Sequence, residues 1–310
     1  MKILVLGAGG TGGYFGGRLA EAGADVTFLV REKRAAQIRA NGLVVESLKD
    51  RFVVQPKIVL AADVRPEYDA VLLSCKAFDL QSAIDSIRPA VAESTLIVPL
   101  LNGMTHLDAL DQAFGKNRVL GGLCQIAATL APDGTVKSMM DAHLIIWGAR
   151  LPGQAEGAAR LGEAFAATKV DWRVSDRIIA EMWEKVAFLC TLASMTCLMR
   201  ASVGDILAAP DGRKLMLSMF DACSAIAGKA GHPVSAAFDE RARKVLQTDN
   251  STLTASMLRD LEAGGPVEAD HIVGYMLGKA RELEVDDRLL TVAYTHLKAY
   301  EQRRARMRQA

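Results

Sequence analysis

Several signatures are missing from this chain of 310 residues, and each absence removes a class of function. The five cysteines, Cys75, Cys124, Cys190, Cys197 and Cys223, make no disulfide framework and no C-x-x-C pair, which points to a reducing compartment, the cytoplasm. Strand-like residues begin at Ile3, leaving no room for a targeting peptide ahead of them. The histidines (His106, His143, His232, His271, His296) show no HExxH spacing, so no metal is expected. GKS and GKT are absent, which excludes a Walker phosphate loop. No charge predominates: 37 Lys and Arg against 36 Asp and Glu, interspersed, leave a net charge of +1 and suggest neither nucleic acid nor an anionic membrane as partner. The longest nearly apolar run, Phe188 to Met199, falls well short of the roughly 20 residues that span a bilayer, so no span is predicted. What remains, 50% hydrophobic and 24% charged residues, is an ordinary soluble composition, long enough for two domains.

The chain does have glycine in a specific place. Lys2 to Leu6 is a short apolar run ending at GAGGTG, the residues Gly7, Ala8, Gly9, Gly10, Thr11 and Gly12. Tyr14 to Ala22 then reads as a helix, and Asp25 to Val30 as a second strand. A lone G-x-G-x-x-G is only a flexible turn; between a strand and a helix it is a dinucleotide cradle. Gly7 would make the tight turn, Gly9 would let a pyrophosphate approach the backbone, and Gly12 would let helix and strand pack closely. Where an NAD enzyme carries an acid for the ribose hydroxyl, this chain has Arg31, with Lys33 and Arg34 close behind. A guanidinium grips a 2′-phosphate that a carboxylate would repel, so NADP is the expected cofactor. The alternative is a solvated basic loop, with Glu32 as ribose partner.

Tyr68 to Ser74 and Ser94 to Val98 read as further core strands, followed by Lys76 and Asn102. Residues beyond the C-terminal ends of such strands lie where ligands bind, although each could equally be a loop residue. Val119 to Thr129, Val136 to Met139 and Leu144 to Trp147 look like additional strands, and Val170 to Val174 like the last. From there the pattern is helical. Ser175 is a candidate N-cap for an apolar stripe of Ile178, Met182, Lys185, Leu189 and Leu192. Lys185 is its odd member: it either snorkels to pair with Glu181, or ends partly desolvated in a cleft, where it suits proton transfer. Gly264, Gly265 and Pro266 mark a helix start that places Glu268 in the first turn, where an acid favours the helix dipole. Ser256 sits on another helix, as a polar contact or a solvated face. Glu301 to Arg308 reads as a charged, frayed tail.

Taken in order, GAGGTGGYFGGRLAEAG with Arg31, LSCKAF, LLNGM, AEMWEKVAFLC, SMLRDL and VEADHIVGY span the whole chain and resemble the ketopantoate reductase family of NADPH-dependent 2-oxoacid reductases. The resemblance implies an α/β architecture: an N-terminal NADP-binding Rossmann domain with a doubly wound sheet, residues 1–170, and an all-α C-terminal substrate and dimerisation domain of the 6-phosphogluconate dehydrogenase type, residues 171–310, with the site in the cleft between them. It assigns Gly7 to Gly12 to the pyrophosphate and Arg31 to the 2′-phosphate, with Lys76, Asn102 and Ala127 on the nicotinamide side. It makes Lys185 the proton donor, Glu268 a carboxylate beside cofactor and substrate, and Ser256, Asn102 and Lys185 substrate contacts. The expected partner is a small 2-oxoacid or ketone, with a homodimer allowed for. Three positions depart from the family. Asparagines that hold ketopantoate are replaced by Leu189, Ala193 and Val203, which favours a more apolar ketone and keeps open an NADPH-binding regulatory protein without turnover.

Overall fold

The computed structural model describes residues 1–309. It forms two compact units: Met1–Leu101 with His106–Ile178, and Asn102–Thr105 with the chain from Ile179 onward. The first unit opens with β1 (Lys2–Leu6), α1 (Gly10–Glu21) and β2 (Asp25–Leu29). Ile3, Leu4 and Val5 have no exposure at all, as an apolar run must when helices cover both faces of a parallel strand. α1 begins at Gly10, not at Tyr14 as apolar periodicity suggests, because the glycines that start it carry no side chains to make a pattern.

There follow α2 (Glu32–Asn41), β3 (Leu43–Glu46), β4 (Arg51–Val54), β5 (Lys57–Val59), β6 (Ala70–Leu73), α3 (Leu80–Ile87), β7 (Leu96–Pro99) and α4 (Thr105–Phe114). Strands β5-β2-β1-β6-β7 make one sheet, parallel throughout. The order reverses direction beside β1, which puts the topological switch point at Gly7. Next come β8 (Gly121–Gln125), β9 (Ala128–Leu130), β10 (Val136–Ser138), β11 (Leu144–Gly148), α5 (Ala155–Ala166) and β12 (Asp171–Val174).

The run Val119 to Thr129 is therefore not one strand. β8 joins a three-stranded sheet, β12-β11-β8, and β9 a four-stranded one, β4-β3-β10-β9, because a continuous β-rich stretch does not say where the chain leaves one sheet for another. A parallel bridge between Ile97 and Val119 ties the entry to β8 onto β7. β12 pairs with β11, so it belongs with the sheets, and the chain passes to its second unit at Ile178, beyond the 170/171 boundary expected above. A buried clasp fastens α1 to the β3–β4 turn: Arg18, 3% exposed, donates to Asp50 at 2.9 Å while its guanidinium lies over the Phe52 ring.

The second unit is helical: α6 (Ile178–Met199), α7 (Val203–Ala208), α8 (Gly212–Lys229), α9 (Ala236–Leu246), α10 (Ser256–Glu262), a π turn at Asp270–Gly274, α11 (Tyr275–Glu282) and α12 (Arg288–Gln309). α6 is 22 residues long and apolar enough to cross a membrane by length and composition, but 72% of its apolar window is buried in the protein, so it is the core helix of this unit. The Ser175 hydroxyl accepts the N–H of Arg177 just ahead of it. Trp183 on α6 stacks on His232 and meets Tyr275, while the buried Glu184 carboxylate accepts the Ser235 hydroxyl and N–H at the start of α9. Glu301 to Arg308, expected to fray, continues α12; Arg304 Nε donates to the Gly264 carbonyl at 2.8 Å and holds it down.

Candidate active site

The glycine segment separates into two kinds of position. At Gly10 and Gly12 a Cβ would collide with the protein itself: with the Ala128 carbonyl oxygen at 2.5 Å in one case, and with Ser74 Oγ and the Gly7 oxygen in the other. At Gly7 and Gly9 a Cβ would meet nothing within 4 Å. The chain turns at Gly7 with φ of +83°, a value side chains disfavour, so that α1 starts directly above open space. The N–H groups of its first turn have no intrahelical acceptor and point toward that space. A pyrophosphate fits there on two counts: room beside Gly9, and donors at the helix start.

Arg31 and Lys76 follow the neighbours of β1. β2 leads to Arg31, which is exposed at the start of α2; β6 leads to Lys76, exposed ahead of a short 3-10 turn. Since β2, β1 and β6 lie side by side, Arg31, Gly7 and Lys76 share one edge of the sheet. Ala127 lies between β8 and β9, partly buried, its carbonyl accepting the N–H of Met139. The basic cluster divides. Arg31 and Lys33 are exposed, but Arg34 turns inward, its Nε donating to the Ala8 carbonyl at 3.0 Å and its Nη1 to the Gly134 carbonyl at 2.8 Å. Burial lowers its pKa below the usual guanidinium value. Arg34 thus ties the glycine segment to the β9–β10 turn, a task its place in a basic run did not reveal.

The remaining candidates belong to the second unit. Lys185 is partly buried on α6, and the residues one turn on, Phe188 and Leu189, are the partly exposed ones beside it, whereas Met182, Val186 and Leu192 are buried. Ala193 is 3% exposed and Val203 is fully buried, so Leu189 alone of the three departures from the family presents appreciable surface. Ser256 is exposed at the first residue of α10. Glu268 is not in a first helical turn: Pro266 and Val267 are non-helical, and Glu268 precedes the helix, its carbonyl accepting the N–H of Ile272. Its side chain is buried, at 6% exposure. Asn102 is partly buried in the loop after β7.

A family description of ketopantoate reductase PanE/ApbA matches residues 3–150, and its C-terminal counterpart matches residues 177–301. The chain belongs to the ketopantoate reductase family. It is 36% identical over 301 residues to the uncharacterized oxidoreductase YkpB of Bacillus subtilis, covering 97% of this chain and 99% of that one. It is 27% identical over 294 residues to the 2-dehydropantoate 2-reductase of Mesorhizobium japonicum, covering 88% and 89% of the two chains. The crystal structure of a PanE/ApbA family ketopantoate reductase from Ralstonia eutropha superposes with a TM-score of 0.88 at 25% identity, over 98% of this chain and 100% of that one. As a ketopantoate reductase relative, this protein is an oxidoreductase acting on CH–OH groups and takes a nicotinamide dinucleotide, whose pyrophosphate the open glycine segment suits. Among the described residues no group of three or more His, Cys, Asp or Glu is placed to hold a metal ion.

Proposed function

We propose that the protein is a cytoplasmic NADPH-dependent reductase of a 2-oxoacid whose side chain is more apolar than that of ketopantoate. The observation that carries the reading is the surface of α6, where one amine, Lys185, stands partly buried, with Glu181 one turn before it and Phe188 and Leu189 one turn after. A bound NADPH supplies the hydride. Lys185, as ammonium, donates a hydrogen bond to the ketone oxygen, draws charge from its carbon and releases a proton to the oxygen as the alcohol forms. Asn102 and Ser256 contribute hydrogen bonds that orient the acid, and Glu268 fixes substrate and nicotinamide with respect to each other. Arg31, exposed at the end of β2, is the 2′-phosphate ligand and supports NADP over NAD. Lys76 and Ala127 border the nicotinamide side.

NADPH oxidation measured across a panel of 2-oxoacids tests this reading. Ketopantoate is expected to give a kcat/KM about tenfold or more below that of an analogue lacking its hydroxyl, because the hydroxyl meets Leu189 where a partner is needed. Leu189→Asn should recover part of the difference. Ketopantoate as the best substrate of the wild-type protein would overturn the apolar preference, and no turnover of any ketone would favour a regulatory NADPH-binding protein.

A further inference from the structure

The loop Asn102–Thr105 and the π turn Asp270–Gly274 are far apart in sequence and fastened to each other at one residue, His271. Thr105 Oγ1 lies 3.1 Å from His271 Nδ1, within hydrogen-bonding distance. Gly103 lies so close that a Cβ on it would come within 2.6 Å of the His271 carbonyl oxygen, and its φ of +87° is a conformation other residues resist. The loop therefore leans on both the side chain and the backbone of His271. The far side of the turn is fixed as well. Tyr294 Oη donates to Asp270 at 2.6 Å, Lys298 Nζ reaches both Asp270 oxygens at 3.1 Å, and a Cβ at Gly274 would meet the Tyr294 ring at 2.9 Å.

A π turn inserts one residue into the helical ladder, and such insertions tend to mark functional segments. Each residue of a helix advances the side-chain direction by about 100°, so the insertion sets the orientation of everything preceding it relative to α11. Here Glu268 is what precedes it, and Asn102 is what precedes Gly103. Resting on the reductase reading above, we infer that His271 and Thr105 are positioning residues: their hydrogen bond clamps the Asn102 loop to the π turn, so that the Asn102 carboxamide and the Glu268 carboxylate move as one body against nicotinamide and substrate.

The test compares Thr105→Val, which removes the hydroxyl, and His271→Phe, which keeps a ring without nitrogen, with the double variant and with the rescues Thr105→Ser and His271→Asn. Each single loss is expected to lower kcat for the preferred 2-oxoacid by about three- to tenfold, the worth of one hydrogen bond, with affinity for 2′,5′-ADP unchanged and the melting temperature lowered by no more than a few degrees. The double variant should be no worse than either single one, since both remove the same contact. Both rescues should return most of the rate. Additive losses, losses that the rescues fail to restore, or an unaltered kcat in Thr105→Val would overturn the clamp. Should the wild-type protein reduce no 2-oxoacid, the reductase reading fails by itself, and the clamp is then judged on the fluorescence anisotropy of bound NADPH. A fall in Thr105→Val would support it, and an unchanged value would sink it.

Discussion

The two units carry their candidate residues in different materials. At the glycine segment of the first unit the backbone is the working part: N–H groups at the start of α1, an open space beside Gly9, and helix–strand contact so close at Gly10 and Gly12 that no Cβ fits. In the second unit the candidates are side chains, Lys185 on the partly exposed strip of α6 and Glu268 buried ahead of a π turn. A backbone cradle recognises what all dinucleotides share. On the proposed reading side chains decide which ketone reacts, and Leu189 is the position at which they differ while the cradle stays as it is.

The difference is sharpest when the two are damaged separately. Lys185→Ala is expected to lower turnover by about 10² to 10⁴, the usual worth of a positioned acid, with NADPH affinity within about twofold of wild type, as read by steady-state kinetics and a fluorescence titration. Loss of cofactor affinity with normal turnover in the bound enzyme would erase the division of labour. Gly9→Ala should do the reverse, weakening NADPH about ten- to a hundredfold by pushing phosphate off the N–H groups, with unaltered melting temperature, because its Cβ enters open space. Gly12→Ala is the internal control: its Cβ strikes Ser74 and Gly7, so it should cost about 1 to 3 kcal/mol of stability in a denaturant titration. Arg31→Asp should narrow the preference for NADPH over NADH by about tenfold, and a variant with the wild-type ratio would return Arg31 to the status of a solvated side chain.

The smallest effect concerns structure alone. The Arg18 guanidinium, hydrogen-bonded to Asp50, holds that carboxyl well below the usual carboxylate range. A depressed folded-state pKa stabilises the protein in full above the unfolded value near 4, and the contribution is lost progressively as pH falls from there through the depressed folded value. With the Asp50 side chain 29% exposed, Asp50→Asn should cost only about 1 kcal/mol at pH 7, and its deficit in melting temperature should begin to narrow only below about pH 4. A deficit that does not narrow at all between about pH 4 and pH 2 would mean that packing of Arg18 on Phe52, not charge, holds the β3–β4 turn.

What could be read from the sequence follows the range of the interactions. The βαβ opening, the separate roles of Gly7, Gly9 and Gly12, and the apolar stripe broken by Lys185 are short-range patterns, each contained within one or two elements. The split of Val119 to Thr129 between two sheets depends on partners far along the chain, and periodicity carries no trace of it. Arg34 looked like one more basic side chain because its acceptors, the Ala8 and Gly134 carbonyls, belong to backbone that any residue would supply. Gly-Pro is a good start signal and points to Glu268 in a helical turn, but the helix waits until after Glu268, and the one-residue insertion behind it leaves composition untouched. Only the resemblance suggests roles for Asn102, Ser256 and Glu268, since nothing local distinguishes a substrate contact from an ordinary polar loop residue.

The membership of Asn102–Thr105 in the second unit, although the chain before and after it belongs to the first, bears on how this protein can be dissected. A fragment ending at Ile178 would retain every strand and the whole glycine segment, yet Gly103 and Thr105 would lose His271, the residue they lean on. Such a fragment should retain adenosine nucleotides on an affinity column while presenting a frayed loop to proteases between β7 and α4, and the missing helices, added back in trans, should protect that loop from cleavage.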